Sequence, residues 1–121
     1  MLFIGAFFCF LAVVAGALGS HALRDTLMRM DGMGNFNLAT KYLFYHGLGI
    51  LAVAILQFVH PQVPFQYAGW LMVLGSVLFQ GNLFLISMAG IRTFQFLTPV
   101  GGICLMAGWL LLAGLALRIP R

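Results

Sequence analysis

HALRDTLMRMDGMGNFNLATKYLFYH, residues His21–His46, gathers most of what is not hydrocarbon in an otherwise apolar chain. It holds both carboxylates (Asp25, Asp31), three of the six basic residues (Arg24, Arg29, Lys41) and two of the three histidines. The 121-residue chain as a whole is 63% hydrophobic and only 7% charged, where soluble domains carry about 25% charged residues. Mean hydropathy is +1.07. This composition is that of an integral membrane protein. A span needs about 20 apolar residues, so four spans nearly exhaust the chain as one transmembrane domain over 1–121.

The net charge of +4 comes from basic residues placed almost wholly outside the apolar runs. That is how membrane proteins anchor and orient themselves. Nucleic acid is not an expected partner, because basic residues that bind it cluster on one face, and none do here. Cys9 and Cys104 fall inside spans at depths that differ by roughly 9 Å at 1.5 Å per residue, which is too far apart for a disulfide. No CxxC or Cys/His spacing points to a metal site.

Working outward from the polar stretch, the first span is expected over about 2–22. The run Ala17-Leu18-Gly19-Ser20 looks superficially like a leader cleavage region. No positive n-region precedes it and the apolar segment is too long, so it reads as a retained helix. Ala12, Gly16 and Ser20 recur every four residues and allow close backbone approach. Leu23 to Gly34 reads as a connector with a short amphipathic helix on the membrane surface, Leu23, Leu27 and Met30 sharing one face. Gly32 is its expected stop, and Asn35 or Asn37 is expected to cap the next helix. Further spans are expected over about 41–59, 65–89 and 98–117. His60-Pro61-Gln62-Val63-Pro64 breaks the chain between the second and third, and Thr98-Pro99 starts the fourth.

Four spans place the first and third links on one side, with Arg24, Arg29, Lys41 and Arg92. The termini and second link lie on the other, with Arg118 and Arg121. The positive-inside rule then makes the first and third links cytoplasmic and both termini opposite. Counting inward from the first side puts His21 and Thr98 at the interface, with His46, Asn82 and Gln80 progressively deeper. The result is a polar layer in one bilayer half. Polar groups in hydrocarbon must find partners, so these side chains should point into the bundle. Tyr42, one turn before His46, is placed for a hydroxyl-to-imidazole bond.

Several phrases then fall in a familiar order. Gly16-Ala17-Leu18-Gly19-Ser20-His21-Ala22-Leu23 is followed by Ala39 to Tyr42, His46-Gly47-Leu48, Gly75 to Phe84, Thr98-Pro99-Val100-Gly101-Gly102 and Gly108-Trp109. In this order and spacing the chain resembles the YgdD family of small inner-membrane proteins, whose eukaryotic relatives are mitochondrial. The resemblance covers nearly the whole chain and implies a four-helix protein of the bacterial plasma (inner) membrane. It transfers no catalytic residue, because the family is one of unknown function. His21 and His46 match the family's own histidines. Where family members usually show Ser-Gly-Ser followed by Leu-Tyr, this chain has Gln80-Gly81-Asn82 followed by Leu83-Phe84.

A His21–His46 pair ligating haem or a transition metal needs matched depth, and His21 lies roughly 6 Å shallower than His46 on this span count. Neither cofactor nor metal is therefore expected. Proton-coupled transport normally uses an intramembrane carboxylate, but both carboxylates sit in the connector. No hydrolytic constellation can be assembled. The expectation is an all-α integral membrane four-helix bundle with a short interfacial helix between spans one and two. It would act as a non-enzymatic accessory or interaction component, with lipid around it and a second copy or a larger membrane complex against its glycine-rich faces. The alternative is a binding protein for a quinone, lipid or other small hydrophobic ligand, with His21, Tyr42, His46, Gln80, Asn82 and Thr98 as candidate ligand-binding residues.

Overall fold

A computed structural model describes residues 1–120 and contains helices joined by turns. In chain order they are α1 (Leu2–Ser20), α2 (Arg24–Arg29), α3 (Met33–Val59), α4 (Gln66–Ala89) and α5 (Leu97–Ala116). All but α2 are long and apolar enough to cross a membrane. Arg121, counted above with Arg118, lies outside the described residues.

The connector differs from expectation in how it ends and where the next helix starts. The stop of α2 is Asp31, which takes the left-handed conformation at φ 51°. The Gly32 N–H donates to Leu27 O at 2.8 Å and the Asp31 N–H to Met28 O at 3.3 Å, the paired bonds of a Schellman turn. Gly32 is needed for a different reason: a Cβ there would run into the Ser87 carbonyl of α4. α3 begins directly after it, at Met33, so the helix extends well before the expected span start at Lys41. Asn35 and Asn37 consequently lie inside α3, and Gly32 occupies the N-cap position without a side-chain cap. Leu27 in α2 is fully buried while Met30, its C-cap, is exposed, and the short helix touches α1, α3 and α4.

Extensive packing joins α1 to α3, α3 to α4 and α4 to α5. Lipid supplies no hydrophobic drive between helices, so close backbone approach at small residues has to do the joining. A Cβ on Gly5 would lie 2.9 Å from Gly47 O, and one on Gly47 would lie 2.7 Å from Cys9 Sγ. The α4–α5 seam is tighter, with a Cβ on Gly101 2.5 Å from Phe79 N and 2.9 Å from Gly75 O. Both cysteines are free.

The main apolar core lies toward the second link, where Ile50 and Val53 meet Val63, Phe65, Ala68, Met72 and Leu115. Gln57 staples that link. Its Oε1 accepts from the Gln66 N–H at 3.0 Å, and its Nε2 donates to Pro61 O at 3.4 Å. The buried polar residues include His46 and Ser76, near the middle of α3 and α4, and Gln80, Asn82 and Ser87 toward the other end of α4.

Candidate functional site

The polar residues expected to form one layer divide into two pairs. Gln80 and Asn82 are two positions apart, or about 200° around a helix, so they cannot face the same neighbour. Gln80 turns to α3, its Nε2 3.3 Å from His46 Nδ1. Asn82 turns to α5 and donates to Thr98 Oγ1 at 2.6 Å. His21 joins neither: it is exposed at the C-cap of α1, its backbone N–H bonded to Leu18 O.

Tyr42 meets His46, but not through its hydroxyl. Its ring stacks on the imidazole with centroids 5.9 Å apart and planes 25° off parallel, and its carbonyl lies 2.7 Å from His46 Nδ1. That short contact decides the tautomer. A carbonyl only accepts, so Nδ1 carries the ring proton and Nε2 carries the lone pair. An Nδ1–H cannot also accept from an amide N–H. The Gln80 amide therefore satisfies His46 only when turned about its last bond, with oxygen toward Nδ1–H and the NH2 group left over. In either orientation one end of the amide faces no partner.

Ser76 lies one turn before Gln80, on the same face of α4. Its Oγ is buried without a hydrogen-bond partner, as are one end of the Gln80 amide and Asn82 Oδ1. Leaving a buried polar atom unpaired costs about 1–3 kcal/mol, and lipid offers no water to relieve it. The spacing of Ser76 to Gln80 was the signal that could have added Ser76 to the candidates.

Two cavities flank the His46–Gln80 contact. One, of about 430 Å³, runs between α1 and α4 above α3; Phe8, Leu11 and Leu18 form one wall, Gly81 and Phe84 the other, and Ser76 and Gln80 also line it. Its surface is otherwise apolar. The second, of about 470 Å³, lies between α3 and α5 and is lined by Tyr42, Tyr45, His46, Phe79, Gly102 and Trp109 among others. Trp109 sits with its ring centroid 6.1 Å from that of His46, brought there because Gly49 leaves room: a Cβ on Gly49 would be 3.0 Å from the indole. Nothing in the local sequence around Trp109 marks it as a neighbour of His46. Among the described residues no three His, Cys, Asp or Glu side chains gather to hold a metal ion.

The family model "Protein of unknown function (DUF423)" matches residues 15–102. The chain is 34% identical over 121 residues to the UPF0382 inner membrane protein YgdD of Escherichia coli K12, covering 100% of this chain and 92% of that protein. It is 36% identical over 109 residues to a UPF0382 membrane protein of Staphylococcus saprophyticus, covering 90% of this chain and 89% of the relative. No solved structure matches. The chain belongs to the DUF423 family of membrane proteins, which includes YgdD.

Proposed function

We propose that this member of the DUF423 family is a non-enzymatic binding protein for a small lipophilic molecule that carries a hydrogen-bond acceptor, held in the groove between α1 and α4. One observation carries the reading. Ser76 and Gln80, 2% and 1% exposed, line an apolar cavity of about 430 Å³ with polar atoms that have no partner in the protein. With Nδ1–H of His46 directed at Tyr42 O, the free end of Gln80 is its NH2, and the Ser76 hydroxyl is a second donor. A carbonyl, as in a quinone or an acyl ester, would satisfy both while its apolar body fills the groove. A saturated hydrocarbon would leave them orphaned.

Native mass spectrometry of protein released gently from its own membrane tests this. Gly81 lines the groove, and a Cβ there would meet nothing within 4 Å, so Gly81→Leu fills the cavity without straining the helix. The wild type should carry a lipophilic adduct that Gly81→Leu and Gln80→Leu lose. An adduct-free wild type overturns the proposal. If that protein also emerges bound to a second copy or to a larger complex, the accessory role expected from the sequence takes its place.

The membrane in question is the inner membrane, as the name of the YgdD relative says of that protein. The first and third links, with Arg24, Arg29 and Arg92, face the cytoplasm, Lys41 lies within α3 about two turns from that end, and the termini face away. In a background with Cys9 and Cys104 replaced by Ala, Pro61→Cys should react with an impermeant maleimide from the outer side and Ala22→Cys only from the inner. The reverse pattern inverts the topology.

A further inference from the structure

We propose that the aromatic groove between α3 and α5 is a second binding site, for a planar ring bearing a hydroxyl, such as a phenol or hydroquinone, whose O–H donates to His46 Nε2. It goes beyond the carbonyl site and uses the other side of the His46–Gln80 contact. His46 is 4% exposed, and its Nδ1–H is committed to Tyr42 O at 2.7 Å. Nε2 therefore holds a lone pair, and no donor among the described residues reaches it. As Ser76 and Gln80 do on the other side, the imidazole lines a cavity, here one of about 470 Å³.

The walls specify the rest of the ligand. Tyr42 stacks on the imidazole at 5.9 Å and meets Phe79 tilted at 5.6 Å, and Trp109 is tilted against His46 at 6.1 Å. Flat rings favour offset or edge-to-face partners. The rim is open toward lipid, where Tyr45 and Met106 are 54% and 60% exposed. An acyl chain would cover these walls and leave the lone pair unmet. An aliphatic alcohol would meet the lone pair and leave the ring faces unused. No charged side chain lines the cavity, which leaves an ion without a counter-charge. A neutral ring with a hydroxyl satisfies both features at once.

The chain has two tryptophans, and Trp70 is 55% exposed on α4, so Trp70→Phe makes Trp109 the sole reporter. This variant in lipid nanodiscs is titrated with 2-naphthol and with 2-methoxynaphthalene, which share the ring system and differ in the donated hydrogen. Naphthol should quench Trp109 saturably, and the ether should bind about fivefold to tenfold more weakly, the equivalent of one hydrogen bond. His46→Phe keeps a flat ring without a lone pair and should abolish the preference. Gly102 lines the cavity, and a Cβ there would rest 3.7 Å from Phe79; Gly102→Leu should fill the cavity and remove the saturable phase. Should His46→Phe fail to fold, Gly102→Leu decides alone. Linear quenching, equal affinity for the two probes, or saturation that survives Gly102→Leu overturns the second site. None of these results touches the α1–α4 groove, which is read separately through Gly81→Leu.

Discussion

Replacing Gly101 with alanine should be among the most damaging single-methyl changes in the protein, and replacing Gly114 with alanine among the most benign. Both glycines lie in α5, so helix propensity favours alanine at each by about 1 kcal/mol. They differ in what the new methyl meets. At Gly101 it would stand 2.5 Å from Phe79 N, 2.9 Å from Gly75 O and 2.9 Å from Leu78 Cβ. Ordinary carbon contacts are about 3.5–4.0 Å, so α5 would have to retreat from α4 by close to 1 Å. Two of those atoms belong to the α4 backbone, which cannot swing aside as a flexible side chain would. Overpacking costs about 1–3 kcal/mol when the backbone must shift, which puts the net loss at Gly101→Ala at about 0–2 kcal/mol after the propensity gain. At Gly114 nothing lies within 4 Å, so only the gain remains.

Reversible unfolding in mixed micelles, followed by far-UV circular dichroism against denaturing detergent, reads this difference directly. The propensity gain cancels between the two variants, which should be separated by the overpacking cost of about 1–3 kcal/mol. The displacement should also move Trp109 relative to His46, so Gly101→Ala should alter Trp109 emission in the Trp70→Phe background while Gly114→Ala leaves it unchanged. Equal stability of the two variants would refute backbone contact between α4 and α5, and with it the placement of the indole against the imidazole.

Gly32→Ala places a methyl against the Ser87 carbonyl and should detach the connector from α4. The expected readout is faster tryptic cleavage at Arg24 and Arg29, at a stability cost of about 1–3 kcal/mol; an unchanged cleavage rate would show the connector docked some other way. For Asn82 and Thr98, joined at 2.6 Å, a double-mutant cycle with Asn82→Leu and Thr98→Val should give a coupling of about 0.6–1.7 kcal/mol. A value near zero would mean that the pair does not hold α4 to α5.

The elements were legible because their signals are local. Long apolar runs bounded by Pro61, Pro64 and Gly90 set the number of membrane helices, and the polar connector set where the chain pauses between the first two. Boundaries were less legible. Asp31, not Gly32, ends α2 through a left-handed turn, and the missing side chain of Gly32 instead makes room for Ser87. Asn35 and Asn37 looked like caps because they are good ones, yet α3 starts before them. Of the six candidate residues, His46 and Gln80 meet, as do Asn82 and Thr98, and Tyr42 reaches His46 by ring face and carbonyl. Exposed His21 is the one left out.

Composition and hydropathy by themselves determined that this chain lives in a bilayer and crosses it with four helices. Each of those properties sums over residues in a window and needs no knowledge of neighbours. Tertiary structure alone decided that α3 lies between α1 and α4, that glycine contacts draw Trp109 onto His46, and that the polar layer splits into a His46–Gln80 pair between two grooves and a separate Asn82–Thr98 pair. Those facts depend on rotation about each helix axis. A single residue turns a side chain by 100°, and which way it finally faces is settled by backbones that approach only where no Cβ intervenes.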